Sequence, residues 1–149
     1  MSDLSGEQTV NDTSEGIYDV ALMINHPTET PDVITNELGL QPDYKWQVGQ
    51  PRSAPNGTPL PGLNKDTYWA VAERVSGHKH FFETAVGFLS KLEAAEDFLR
   101  NLLASGGRVR IAIHLPGHTN VGDSISPSNL HRMGRLGIQL TIEIFPEMV

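Results

Sequence analysis

The segment RVRIAIHL, residues 108–115, decides the fold. Val109, Ile111, Ile113 and Leu115 fall on one side of an extended chain. Arg108, Arg110, Ala112 and His114 fall on the other. A period of two identifies a strand with one buried and one wet face. A strand buried on both faces reads instead as a continuous apolar run. The sheet to which this strand belongs therefore has helices on one side and an open polar face on the other.

The same pattern recurs outward from this segment. In Ile17–Asn25, Tyr18, Val20, Leu22 and Ile24 alternate with Asp19, Ala21, Met23 and Asn25. In Thr67–Val75, Trp69, Val71 and Val75 share a face, and in Ile138–Phe145 so do Ile138, Leu140, Ile142 and Ile144. A short strand is expected around Tyr44–Val48. Helices fall between the strands. Thr30-Pro31 opens one and Gly39 stops it, with Val33, Ile34 and Leu38 as its buried side. Ser126-Pro127 opens another, which buries Leu130 and Met133 and ends at Gly137. The two share a Pro start and a Leu-Gly stop, a weak internal echo that capping rules alone also produce. His80–Ser105 carries apolar residues at helical spacing and is long for one globular helix, so a break near Ala94-Ala95 is expected. The expected architecture is an α+β two-layer sandwich: a mixed, largely antiparallel sheet of about four to six strands with helices on one face. On the open face, Arg108 and Arg110 are expected to pair with Asp19 or Glu143 across strands.

With 149 residues, one domain is expected. The acidic residues Asp3, Glu7, Asp12 and Glu15, with no Lys or Arg among them, mark residues 1–16 as a flexible tail ahead of a single α+β domain at 17–149. That tail carries −4 of the net −7, leaving −3 on the body. A body this close to neutral, without a basic stripe, argues against nucleic-acid binding. No apolar run reaches the length of a membrane span, and the N-terminus lacks the basic and apolar regions of a secretory signal. Cysteine is absent, which removes disulfides and thiolate chemistry. A cytoplasmic protein is the expectation.

Catalytic and metal-binding patterns are missing. His114 and His118 have the spacing of a metal pair, but Pro116-Gly117 between them breaks the helix that would align them, and His78-Lys79-His80 reads as a polar link. Gly122-Asp123-Ser124-Ile125-Ser126 lacks the second Gly of a nucleophile elbow. Glu93, Glu96 and Asp97 lie in the long helical stretch as a solvated face. No catalytic residue, metal or cofactor is therefore assigned.

The stretch 41–69, QPDYKWQVGQPRSAPNGTPLPGLNKDTYW, holds both tryptophans and half of the 10 prolines. Its Pro and Gly content makes it a poor interior for a regular element, and a structureless connection of this length is uncommon outside functional or disordered segments. Asn56-Gly57 marks a tight turn. Tyr44, Lys45, Trp46, Arg52, Tyr68 and Trp69 combine the residue types enriched at binding hot spots, and Trp46, Arg52, Tyr68, Trp69 and Lys45 are the candidate ligand- or partner-binding residues. Arg52 has the fork that clamps a carboxylate or phosphate. The alternative is that Trp46 and Trp69 are core lids that pin the loop over the sheet, with Arg52 satisfying loop carbonyls. Both hold if the pinned loop forms a pocket rim.

The ordered string Tyr18-Asp19-Val20, Leu38-Gly39-Leu40-Gln41-Pro42, Trp46-x-x-Gly49-x-Pro51-Arg52, Gly57, Thr67-Tyr68-Trp69 and Ser126-Pro127…Leu136-Gly137 resembles an uncharacterised bacterial family. It is the domain of unknown function numbered forty-two seventy-nine. The likeness runs from Ile17 onward; the acidic tail and the His114/His118 pair depart from it. The resemblance implies a small α+β domain, often a stand-alone protein, with no known catalytic residues to carry over. Some such proteins are similar to immunity proteins of toxin systems, which supports a protein partner by association. Three readings follow: a non-catalytic, immunity-type binding protein; an anionic small-molecule binder or enzyme with a pocket under the 41–69 loop; and a homo-oligomer joined through the open face or an edge strand.

Overall fold

A computed structural model describes residues 17–76, 80–117 and 120–146. The acidic tail, His78, Lys79 and His118 lie outside the described residues. The elements in chain order are β1 (Tyr18–His26), α1 (Pro31–Leu38), β2 (Tyr44–Trp46), β3 (Pro51–Ser53), β4 (Pro59–Leu63), β5 (Thr67–Val75), α2 (Phe81–Gly87), α3 (Leu89–Ala94), α4 (Glu96–Ala104), β6 (Arg108–Pro116), α5 (Pro127–Arg135) and β7 (Gln139–Phe145).

Five strands form one open sheet in the order β2-β5-β1-β6-β7, and β3 pairs only with β4 in a separate hairpin. All pairs in the larger sheet are antiparallel except β6 with β7. A parallel pair needs a crossover, and α5 supplies it. The fold is the mixed α+β sheet expected from the alternation of residues 108–115.

The alternating faces set the layers. Val20, Leu22 and Ile24 of β1, Trp69 of β5 and Ile111 and Ile113 of β6 are buried beneath Ile34, Leu89, Leu92 and Leu99 of the helices. Burying side chains of this size stabilises by roughly 1.5–3 kcal/mol each before chain entropy is counted. The long helical stretch breaks twice, at Phe88 and at Ala95, rather than only at the Ala94-Ala95 pair. The three short helices re-aim their apolar residues in turn: Phe81 and Ala85, then Leu89 and Leu92, then Leu99 and Leu102 all reach the core.

One buried polar residue fixes the corner where β1 ends. His26 Nδ1 accepts the backbone N–H of Thr28 at 3.0 Å and of Glu29 at 2.8 Å. Its Nε2 therefore carries the proton and donates to Ser105 Oγ at 2.8 Å, and Ser105 Oγ donates to the Asn101 carbonyl at 2.7 Å. Gly107 is required beside it: a Cβ there would lie 2.7 Å from the Leu102 carbonyl oxygen and 2.9 Å from the imidazole.

Several expectations are corrected by packing. Val33 and Leu130 are exposed, because the core takes Ile34 and Leu38 from α1 and Met133 from α5. Ile142 and Ile144 point to the helix side of β7 but are exposed, Ile144 at 64%. The helices pack chiefly on β1, β5 and β6, so the end of this edge strand is uncovered. Arg108 and Arg110 do not take the carboxylates expected of them. Asp19 pairs with Arg74 at 3.0 Å, and Glu143 lies 3.9 Å from His114. Both follow from register, since Asp19 stands opposite Arg74 and His114 opposite Glu143. Stretch 41–69 is not structureless either: it holds β2 and the β3–β4 hairpin.

Candidate functional site

The 41–69 stretch is folded by its own polar groups. Ala54 N–H bonds the Thr58 carbonyl and Gly57 N–H the Ala54 carbonyl, each at 2.8 Å, and Gly57 takes the left-handed φ of 89° that its turn demands. Asn64 clips the hairpin base: its N–H donates to the Gln50 carbonyl at 2.8 Å, its side chain to the Gln47 carbonyl at 3.0 Å, and its carbonyl accepts from Gly49 at 2.9 Å. Val48 N–H bonds Thr67 Oγ1 at 3.1 Å, which ties the hairpin to the start of β5.

Strand β2 is the edge of the large sheet, in register Tyr44 with Ala70, Lys45 with Trp69 and Trp46 with Tyr68. A period of two splits four of the five candidate residues between faces. Trp46 and Tyr68 point to the helix-free face and stack at 4.4 Å between ring centroids and 23° between planes. Trp69 points the other way and is 0% exposed, its Nε1 donating to Thr35 Oγ1 of α1 at 3.0 Å. Lys45, beside Trp69 in the ladder, reaches Asp32 of α1 at 3.7 Å. Trp69 is thus the core anchor and Lys45 a neighbour of α1, whereas Trp46 is 45% exposed.

Arg52 of β3 joins Trp46 in a cleft of about 480 Å³ that Pro61, Lys65 and Asp66 also line. One guanidinium nitrogen donates to the Pro61 carbonyl at 3.2 Å, as the carbonyl-satisfying reading expected. Trp46, Arg52 and Tyr68 therefore belong to one surface. Tyr44 of β2 is exposed on the same edge, and Leu60 and Leu63, which sequence reasoning left out, are large exposed apolar residues of the hairpin. The signal for these two was their place on either side of Pro61-Gly62.

Across the helix-free face, cross-strand neighbours form rows. One runs Trp46, Tyr68, Asn25, Arg108; the next runs Tyr44, Ala70, Met23, Arg110. Asn25 couples this face to the cleft: its Nδ2 donates to Asp66 Oδ2 at 3.0 Å, and its Oδ1 accepts from Arg110 at 3.0 Å. Burial pushes the Tyr68 phenol above its ordinary pKa, and the Arg110 charge opposes that shift.

A second cleft of about 360 Å³ lies between α2 and α5, lined by His80, Phe82, Asp123, Ser124 and Asn129 among others. It takes in Asp123–Ser126 of the Gly122–Ser126 stretch. Asp123 bonds His80 Nδ1 at 2.9 Å and the Phe82 N–H at 2.9 Å, so it closes the first turn of α2. Ser126 Oγ accepts the Asn129 N–H at 3.1 Å as the N-cap of α5. These side chains hold helix ends. Glu93 and Glu96 likewise bind α5, Glu93 to Arg132 at 2.6 Å and Glu96 to Arg135 at 2.7 Å. Among the described residues no three His, Asp or Glu side chains converge as a metal site, and no helix is long and apolar enough to cross a membrane.

A family model described as "Domain of unknown function (DUF4279)" matches residues 15–146. No curated protein and no solved structure matches the chain.

Proposed function

The chain belongs to the DUF4279 family, and from that premise we propose that it is a non-catalytic, cytoplasmic bacterial protein that binds another protein, as an immunity-type protein does. The observation that carries this reading is the exposed Trp46–Tyr68 stack beside Arg52, continuous with Tyr44 and the apolar hairpin residues Leu60 and Leu63. Trp, Tyr and Arg are the residues that dominate interface energetics, and an apolar patch rimmed by polar groups is how such surfaces look when unoccupied. The folded hairpin supports the reading further, since a preformed surface loses little conformational entropy on binding.

Affinity capture from the native host with wild-type, Trp46→Ala and Arg52→Ala baits tests it. A partner held by the wild type and weakened by roughly tenfold or more in either variant is expected. Failure to recover a partner, or one that both variants retain in full, overturns the reading.

A second reading rests on the cleft itself. Its volume falls within the range of small-molecule sites, and Arg52 and Lys65 line it beside Trp46. An anionic ligand at about 100 times its Kd would stabilise the protein by about 2.7 kcal/mol. A metabolite thermal-shift screen separates the two readings: a hit abolished by Arg52→Ala favours the ligand.

A further inference from the structure

The arginines of this chain divide by location. Arg74, Arg100, Arg132 and Arg135 are each in ion pairs with carboxylates. Arg52, Arg108 and Arg110 are in none among the described residues, nor is Lys65. These four lie at one corner; Lys91, which is also outside the ion pairs among the described residues, sits apart on α3. Arg52 and Lys65 line the cleft with Asp66, Asp66 bonds Asn25, Asn25 bonds Arg110, and Arg108 stands opposite Asn25 in the ladder. The Trp46–Tyr68 stack lies in the same row as Asn25 and Arg108. The buried Nε of Arg110 has no acceptor.

Four cations and the single carboxylate of Asp66 share a basic, aromatic corner on a chain of net charge −7. Salt bridges elsewhere show that carboxylates are available to this chain, yet among the described residues these four cations are ion-paired to none. We propose that this corner is the recognition surface for an acidic segment of the partner protein, whose Asp or Glu carboxylates are taken by the forks of Arg52, Arg108 and Arg110 while its apolar side chains lie on the Trp46–Tyr68 stack. The inference rests on the protein-binding reading above and adds the chemistry of the partner. Guanidinium forks match carboxylates bidentately, and an aromatic stack beside them accepts apolar neighbours. A long nucleic acid fits less well: its phosphates would run past the corner onto a face that carries Asp19 and Glu143.

The test uses the full chain labelled with ¹⁵N, titrated with a short polyglutamate peptide, a polyglutamine peptide of equal length, and single-stranded oligothymidylate. Indole resonances of Trp46 and Trp69 are assigned with Trp46→Phe. Polyglutamate is expected to shift the Trp46 indole and the Arg108 and Arg110 amides saturably and to leave the Trp69 indole in place. Polyglutamine is expected to shift none of them. Arg108→Gln and Arg52→Gln, both exposed positions, should each weaken the titration by roughly tenfold or more with spectral dispersion kept. Absence of a saturable polyglutamate shift, an equal response to polyglutamine, or tighter binding of the oligothymidylate overturns the inference. The two proposals fail separately. A captured partner that needs Trp46 but tolerates Arg108→Gln leaves protein binding standing and removes the acidic segment. Polyglutamate binding without any captured partner overturns the protein-binding reading, and with it the assignment of the acidic segment to a partner protein.

Discussion

Trp46 and Trp69 sit on neighbouring strands and on opposite faces of the sheet, so one chemistry serves two purposes. Trp69 is fully enclosed, with its indole N–H satisfied by Thr35. Trp69→Ala leaves a large cavity and an unpaired hydroxyl, and should cost about 3–5 kcal/mol in urea denaturation. Trp46→Ala removes an exposed ring that stacks on Tyr68, and should cost only about 0.5–1.5 kcal/mol by the same measurement. Comparable losses in the two variants would contradict this division. The residues themselves were legible as a group, because Trp, Tyr and Arg seldom collect in a Pro/Gly-rich stretch without a use. Their separation into core and surface was half legible. Alternation placed Trp69 with Val71 and Val75 on the apolar face, but nothing in the chain said that Trp46 would pair with Tyr68 on the other.

At the level of elements, the start of α2 depends on a carboxylate supplied from far along the chain. Burial opposes ionisation of Asp123, but hydrogen bonds from the Phe82 and Ser124 N–H groups and from His80 outweigh it and hold the pKa below the ordinary aspartate value. A folded-state pKa below the unfolded one means that the unfolded chain binds more protons in acid. The stabilisation is therefore present above the unfolded carboxyl pKa of about 3.9, and it drains away as pH falls through the folded value. Asp123→Asn should lower stability at neutral pH by about 0.5–2 kcal/mol, as loss of a cap does, and flatten the acid limb of the stability profile. An unchanged acid limb would show that Asp123 contributes nothing there. Helix ends written locally were readable: Pro31 and Pro127 at the starts, Gly39 at φ 66° after α1, and Ser126 as the N-cap of α5. The cap of α2 was not, because its acceptor lies in another segment. The second break at Phe88 was missed for the same reason: the helical spacing of apolar residues continues through it, and only the shape of the core below fixes where the axis turns.

For the molecule as a whole, the two sheet edges differ. β2 has three residues and carries Lys45, so it is short and charged in the manner of a protected edge. β7 keeps seven unbroken pairs with β6, has Glu143 as its one charge, and exposes Ile142, Ile144 and Phe145. Such an edge is a template for strand addition. Sedimentation velocity should show mass rising with protein concentration, and Ile142→Lys should keep the chain monomeric; a wild-type monomer at every concentration removes the expectation. The class of fold is readable in the chain alone, since a period of two in four segments and helical spacing between them allow an open sheet with helices on one side. So are the cap positions, the Asn56-Gly57 turn and the candidate stretch. The strand order, and with it which ends of which strands stay uncovered, comes from the folded arrangement. Periodicity records which way a side chain points relative to its own backbone. It carries no record of which distant strand lies alongside, and that pairing brings Trp46 to Tyr68, Asn25 to Arg108, and Arg52, Lys65, Arg108 and Arg110 to one corner.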